Sequence, residues 1–136
     1  MQTQPLPEAV HRVVEAALAE KRILLVDDDE IFREATAAML RAAGHAVLVA
    51  PDYRLALEIL ERDEPVDLLI TDIVMPNRVN GLALSRMARM RRHGLRTIYV
   101  SGYDIAGFEH EVMGTLLLKP VSDDVLLAEI ARTLSS

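Results

Sequence analysis

The residues of this sequence that could carry out chemistry follow directly after short apolar runs. Three aspartates follow RILLV, another follows DLLIT, a serine ends TIYVS and a lysine follows TLLL. These residues are Asp27, Asp28, Asp29, Asp72, Ser101 and Lys119. Carboxylates that lie close together raise one another's pKa unless a cation joins them, and Mg²⁺ prefers oxygen ligands. Together with a lysine and a hydroxyl, such a set could hold a phosphoryl group.

A parallel sheet would bring most of these residues to one place. Five short apolar runs alternate with longer stretches of helical period: residues 23–27, 46–50, 67–71, 97–101 and 115–119. Runs that are apolar almost throughout are typical of strands covered on both faces. The alternation predicts an α/β fold with a five-stranded parallel sheet. Ligands bind beyond the carboxyl ends of such strands, so we expect Asp27, Asp28, Asp72, Ser101 and Lys119 to share one edge.

Residues that cap helices support the helical stretches. The predicted N-caps are Asp28 or Asp29, Asp52, Asn80 and Ser122, and Gly44 is predicted to end the first helix. The segment between Ser101 and Thr115 contains three glycines, which weaken a helix. A short or irregular fourth helix is therefore expected there.

Residues 1–21 are predicted to form a separate helical extension, and residues 22–136 to form the α/β domain. The extension is amphipathic, because apolar residues recur at helical spacing along one stripe: Val10, Val13, Val14, Ala17 and Leu18. This stripe is expected to pack either on the domain or on a second copy of the chain. The second arrangement would be a homodimer.

Composition limits the function further. The net charge of −6 argues against DNA binding, which requires a basic surface. The absence of cysteine excludes disulfides and zinc–thiolate sites. No apolar run approaches the roughly 20 residues that cross a bilayer, and the N-terminus lacks the layout of a signal peptide. We therefore expect a cytoplasmic protein with no membrane or DNA contact.

The motifs LLVDDDE, LLITDIVMP, YVSGY and LLLKP, in this order, resemble the receiver domain of two-component response regulators. The resemblance covers residues 22–134. It implies a flavodoxin-like (CheY-like) doubly wound fold with strand order 2-1-3-4-5. It also implies that an aspartate takes a phosphoryl group from a sensor histidine kinase or a histidine phosphotransferase, with Mg²⁺ as cofactor. The phosphorylated domain would then signal by contact with a downstream protein.

Taken position by position, the resemblance implies a role for each residue of the edge. Asp72 would be the phospho-acceptor, a nucleophile that forms an acyl phosphate and stands exposed on a rigid support. Lys119 would pair with the phosphoryl oxygens, and Ser101 would place its hydroxyl on them. The implied Mg²⁺ ligands are Asp28 directly, Asp27 directly or through water, Asp72, and the backbone carbonyl of Val74.

One departure from the family concerns how the signal is passed on. Leu116 stands three residues before the lysine, where the family has a switch aromatic. A ring that rotates inward on phosphorylation is therefore absent at this position. Because the sequence stops soon after the last predicted helix, we expect a stand-alone receiver that acts by protein contact and is not an enzyme.

Two other functions stay open at this stage. Asp27-x-Asp29 after an apolar strand also resembles the nucleophile and acid/base spacing of haloacid-dehalogenase-type phosphohydrolases. In that enzyme Asp72 would have no assigned role. A degenerate receiver, which binds partners without being phosphorylated, is the other alternative.

Overall fold

The computed structural model of the chain describes residues 7–8, 21–74, 80–102 and 114–135. Within these ranges, strands and helices alternate along the chain. They are β1 (Arg22–Val26), α1 (Glu30–Ala42), β2 (Ala46–Ala50), α2 (Tyr53–Glu61), β3 (Leu68–Thr71), α3 (Gly81–Arg91), β4 (Arg96–Ser101), β5 (Thr115–Leu118) and α4 (Asp123–Ser135). The predicted N-terminal helix and the predicted short helix before Thr115 lie almost wholly outside the described residues.

The sheet has the predicted order, β2-β1-β3-β4-β5, and all its pairs are parallel. Its register decides where the polar residues lie. Val26 is level with Thr71, which in turn is level with Tyr99. Because β1 and β3 are adjacent and end level with each other, the residues that follow them emerge side by side at the carboxyl edge of the sheet.

The two faces of the sheet form two separate hydrophobic clusters. Side chains alternate between faces along a strand, so Ile23 and Leu25 pack with α1 and α4, whereas Leu24 and Val26 pack with α2 and α3. The central strands are buried on both faces, as their continuous apolar runs predict. β5 differs, because it lies at one edge of the sheet, and its residue Leu118 is 61% exposed to solvent.

All the predicted N-caps are confirmed. In each case a side-chain oxygen accepts a hydrogen bond from the backbone N–H three residues later: Asp29 from Phe32 (3.2 Å), Asp52 from Leu55 (3.0 Å), Asn80 from Ala83 (2.8 Å) and Ser122 from Val125 (3.2 Å). Of the two candidates at the start of α1, Asp29 is the cap. Gly44 follows the end of α1 with a φ of 101°, a conformation that favours glycine.

Candidate functional site

The carboxyl edge of the sheet carries two aspartates on adjacent strand ends. Asp27 follows β1 and Asp72 follows β3. Both are held by the main chain, because Asp27 N–H donates to the carbonyl of Ala50 at 3.2 Å and Asp72 N–H donates to that of Val26 at 3.1 Å. These bonds continue the pattern of the sheet, so the two side chains project from a rigid support.

Lys119 joins the two acids. Its ammonium lies 2.8 Å from Asp27 Oδ2 and 3.1 Å from Asp72 Oδ2. The backbone fixes the position of this lysine as well, since its N–H donates to the carbonyl of Ser101 at 2.8 Å. Ser101 itself is fully buried at the end of β4. The structure therefore brings Lys119 directly onto Asp27 and Asp72, although the three lie far apart in the sequence.

Asp28 completes a group of three acids. Oxygens of Asp27, Asp28 and Asp72 lie within 4.8 Å of one another. Oxygens on opposite sides of one Mg²⁺ ion lie about 4.2 Å apart, because each Mg–O distance is about 2.1 Å. The three carboxylates are hard oxygen donors at nearly the right spacing, and a small adjustment or a bridging water would complete the fit. The residues present therefore suit Mg²⁺.

The expected exposure of Asp72 is wrong. Asp72 is only 6% exposed and Asp27 only 1%, whereas Asp28 is exposed. Both buried carboxylates have partners on each oxygen: besides Lys119, Asp27 Oδ1 accepts the N–H of Asp29 at 2.9 Å, and Asp72 Oδ1 accepts the N–H of Val74 at 3.1 Å. A carboxylate oxygen has two lone-pair sites, so each acid keeps capacity for a further ligand.

Burial and ion pairing act against each other in this cluster. Burial raises the pKa of Asp27, and the opposing hydrogen bonds from Lys119 and from the Asp29 N–H do not fully offset it. Burial alone would lower the pKa of Lys119. The hydrogen bonds and charges of Asp27 and Asp72 outweigh that effect and raise the pKa of Lys119 overall, so the ammonium stays protonated.

Helix α1 contributes two contacts that the sequence analysis missed. The guanidinium of Arg33 donates to the main-chain carbonyl of Asp27 at 2.9 Å. The ring of Phe32 lies beneath the ammonium of Lys119, with 4.2 Å between Nζ and the ring centroid. The only sequence signal was that both residues lie in the first turn after the acids, where a helix that starts at the sheet edge must pass the site.

The start of α3 packs closely against the main chain of Asp72 and Ile73. Thr71 Oγ1 donates to the carbonyl of Asp72 at 2.8 Å, and Gly81 N–H donates to the carbonyl of Ile73 at 2.7 Å. A Cβ atom at Gly81 would lie 1.9 Å from the Asp72 carbonyl oxygen. Only glycine allows α3 to begin at this distance from the acid.

The phosphohydrolase alternative finds no support at Asp29. Its carboxylate caps α1 through the Phe32 N–H, and the cluster of acids around Asp27 consists of Asp27, Asp28 and Asp72 among the described residues. Leu116 on β5, where the family has a switch aromatic, packs with the buried residues Ile73, Leu82 and Tyr99.

Comparison with known proteins gives the family. The family model of the response regulator receiver domain matches residues 23–131. The chain belongs to this family. It is 35% identical over 119 residues to the CAI-1 autoinducer sensor kinase/phosphatase CqsS of Vibrio cholerae. This match covers 82% of this chain and 17% of that protein. It is also 36% identical over 118 residues to the response regulator MprA of Mycobacterium leprae. That match covers 83% of this chain and 50% of the relative.

Solved structures of receiver domains have the same fold. The CheY-like receiver domain protein of Methanospirillum hungatei superposes with a TM-score of 0.79 at 30% identity, covering 86% of this chain and 95% of that one. The receiver domain of the hybrid histidine kinase CckA gives a TM-score of 0.72 at 34% identity, covering 83% and 98%. By contrast, this chain matches only half or less of the length of the two curated relatives above.

Family and geometry agree on the class of protein. The chain is a receiver domain of two-component systems, a signalling domain, and its three clustered aspartates are those expected of a phospho-acceptor site. Receiver domains bind Mg²⁺ through such acidic residues. Among the described helices, none is both long and apolar enough to cross a bilayer.

The contact between Gly81 and Asp72 generates a first prediction. Gly81→Ala is expected to lower the free energy of unfolding by at least about 2 kcal/mol and to weaken Mg²⁺ binding, because the new methyl group must displace the Asp72 backbone. Urea unfolding and a Mg²⁺ titration measure the two effects. Gly44→Ala is the control: it strains a positive φ but meets no atom within 4 Å, so it should lose stability and keep Mg²⁺ affinity. Unchanged Mg²⁺ affinity in Gly81→Ala would contradict the prediction.

The raised pKa of Asp27 generates a second prediction. Because the folded state binds this proton more tightly than the unfolded chain, ionisation of Asp27 destabilises the fold at neutral pH, and the penalty vanishes as the pH falls below the unfolded pKa. In metal-free buffer, Asp27→Asn should therefore be more stable than the wild type at pH 7. The difference should shrink as the pH is lowered. Urea unfolding of both proteins over a pH series tests this, and a variant that is less stable at pH 7 would refute it.

Proposed function

We propose that Asp72 is the phospho-acceptor of this receiver domain and takes its phosphoryl group from a phosphohistidine. The single observation that carries the proposal is the convergence of Asp27, Asp28, Asp72 and Lys119 at one edge of the sheet. An acid that served only as a cap or a turn former would not need an ammonium and two further carboxylates around it. A nucleophile that accepts a phosphoryl group uses the ammonium to neutralise the phosphoryl oxygens, and the further carboxylates would hold a metal ion that does the same.

The reaction is a transfer of the phosphoryl group from nitrogen to oxygen. A carboxylate oxygen of Asp72 attacks phosphorus, the N–P bond of the phosphohistidine breaks, and the imidazole nitrogen keeps the electron pair. The main-chain bonds of Asp72 to β1 and the packing of Gly81 hold the nucleophile still. The protein therefore acts mainly by positioning and by charge neutralisation, as is usual for phosphoryl transfer.

Lys119 neutralises charge at the point of transfer. Its ammonium already lies 3.1 Å from Asp72 Oδ2, so oxygens of a phosphoryl group attached to Asp72 would come within its reach. Those oxygens carry more charge than the carboxylate that they replace. Lys119 can follow them by a small rotation of its side chain while its backbone stays bonded to Ser101. We assign the hydroxyl of Ser101 to the same phosphoryl oxygens, as a contact that reports phosphorylation.

Mg²⁺ would be held by Asp27, Asp28, Asp72 and the backbone carbonyl of Val74. When bound, it supplies positive charge that neutralises the phosphoryl oxygens and the three acids. Burial raises the pKa of Asp27 in spite of its bond to Lys119, so a further cation beside this carboxylate would stabilise its ionised form. Asp27 and Asp72 each share one oxygen with Lys119, and Asp28 is exposed, so Asp28 is the acid that a hydrated ion meets first.

The partners are inferred from the family and from named relatives. CqsS is a sensor kinase/phosphatase, and CckA is a hybrid histidine kinase that contains a receiver domain. We propose that a sensor histidine kinase or a histidine phosphotransferase supplies the phosphoryl group to this chain as well. The chain then acts on a downstream protein by contact, without catalysing a reaction on another substrate.

The proposed phosphorylation is tested by labelling with acetyl phosphate and Mg²⁺. Asp72→Asn should abolish the added mass of one phosphoryl group, whereas Asp29→Ala should keep it, because Asp29 serves as a cap worth about 1 kcal/mol. The phosphohydrolase alternative predicts the reverse, with many turnovers on a phosphate ester. Wild-type protein that binds Mg²⁺ but never labels would instead indicate a degenerate receiver.

For residues 1–21 we keep the proposal of a separate amphipathic helix that packs on the domain or on a second copy. An apolar stripe on a helix is normally buried against another protein surface, which supports this proposal. Light scattering and thermal unfolding of a chain that starts at Lys21 separate the versions. A halved mass would support the homodimer, a lowered melting temperature alone would support packing on the domain, and no change in either would count against both.

A further inference from the structure

The ammonium of Lys119 has a third neighbour besides the two acids. It lies over the ring of Phe32, 4.2 Å from the centroid, while it contacts Asp27 at 2.8 Å and Asp72 at 3.1 Å. A cation within about 6 Å of the centre of an aromatic face is attracted by the ring quadrupole. Lys119 is only 20% exposed, which limits the competition from water. The ring therefore stabilises the ammonium in addition to the two carboxylates.

The position of Phe32 is tied to the same acid that Lys119 binds. Phe32 N–H donates to the cap Asp29, and Asp29 N–H donates to Asp27 Oδ1. The neighbouring Arg33 donates to the Asp27 carbonyl. The ring itself packs against the hydrophobic cluster under α1 and α4. Phe32 is thus fixed relative to Asp27 by hydrogen bonds and by packing, whereas the four-carbon side chain of Lys119 has many rotamers to lose.

The ring differs from the two carboxylates in one respect that matters for function. The charge on Asp72 would change when this residue is phosphorylated. The oxygens of Asp27 and Asp72 also accept backbone N–H groups and would bind Mg²⁺. The quadrupole of a phenyl ring stays the same throughout. A contact with the ring therefore holds the ammonium over the acids even while its carboxylate partners change.

We propose that Phe32 is a positioning residue for phosphorylation, which keeps the ammonium of Lys119 beside Asp72 through its aromatic face. The inference rests on the proposed role of Asp72 as phospho-acceptor. It assigns to α1 a part in the reaction beyond its packing and its cap. A leucine would fill much of the same space in the core but offers no aromatic face.

The experiment compares an aliphatic and an aromatic replacement. Phe32→Leu removes the ring, Phe32→Tyr keeps it, and Met39→Leu changes another partly buried residue of α1 that packs on the same cluster. The first readout is the NMR resonance of the Lys119 ε-methylene group in metal-free protein. We expect an upfield ring-current shift in the wild type and in Phe32→Tyr, and its loss in Phe32→Leu. This readout does not depend on phosphorylation.

The second readout is the rate of labelling by acetyl phosphate at saturating Mg²⁺ and saturating donor. Phe32→Leu should slow labelling about threefold to tenfold, and Phe32→Tyr should restore most of the rate. Equal slowing in Phe32→Leu and Met39→Leu would reduce the effect to packing and overturn the proposal. So would Lys119 resonances that do not move in Phe32→Leu. If the wild type fails to label, the proposed function fails, and the Lys119 resonances alone decide whether Phe32 holds the ammonium.

Discussion

The site depends on one electrostatic constraint: two almost fully buried carboxyl groups that lie side by side cannot both stay ionised without a cation beside them. The parallel register of β1 and β3 places Asp27 and Asp72 level with each other, and each is bonded through its backbone to the neighbouring strand. Neither acid can move away without breaking the sheet. Removing Lys119 would leave two buried charges without a counter-ion, which typically costs several kcal/mol. The lysine therefore stabilises the fold, in addition to the part in phosphoryl transfer proposed above.

The same constraint explains why the site is prepared for a further cation and a phosphoryl group. One ammonium does not balance three acids, and the raised pKa of Asp27 reflects the remaining cost of burial. Charge neutralisation at the site is therefore incomplete in the chain by itself. Because the acids are fixed by strands and by the close approach of Gly81, this cost is not relieved by movement. It can be relieved by a bound ion, which links metal binding to stability.

The sequence was sufficient to predict the sheet edge, the caps and the acids, since these follow from apolar runs and from residues next to them. Asp52 and Asn80, for example, cap their helices through contacts three residues away. The burial of Asp72 could not be read in the same way, because it depends on contacts between distant segments, such as that with Lys119, which is 47 residues away along the chain. The ring of Phe32 was missed for a similar reason: the rotation of α1 that brings it under the ammonium is set by packing on the sheet, and the sequence of α1 alone does not specify it.

The packing around Leu116 bears on how phosphorylation can alter the molecule. A ring that turns inward at this position requires both an aromatic residue and a space that receives it. In this chain residue 116 is a leucine, and it packs with the buried residues Ile73, Leu82 and Tyr99. Tyr99 is level with Leu116 on the neighbouring strand, only two residues before Ser101, and is 1% exposed. An aromatic side chain is therefore already buried on the strand that ends in this serine. Residue 116 has no ring that could turn inward, so a signal from the proposed contact at Ser101 needs a different route. Tyr99, which is buried on the same strand and packs with Leu116, offers one such route.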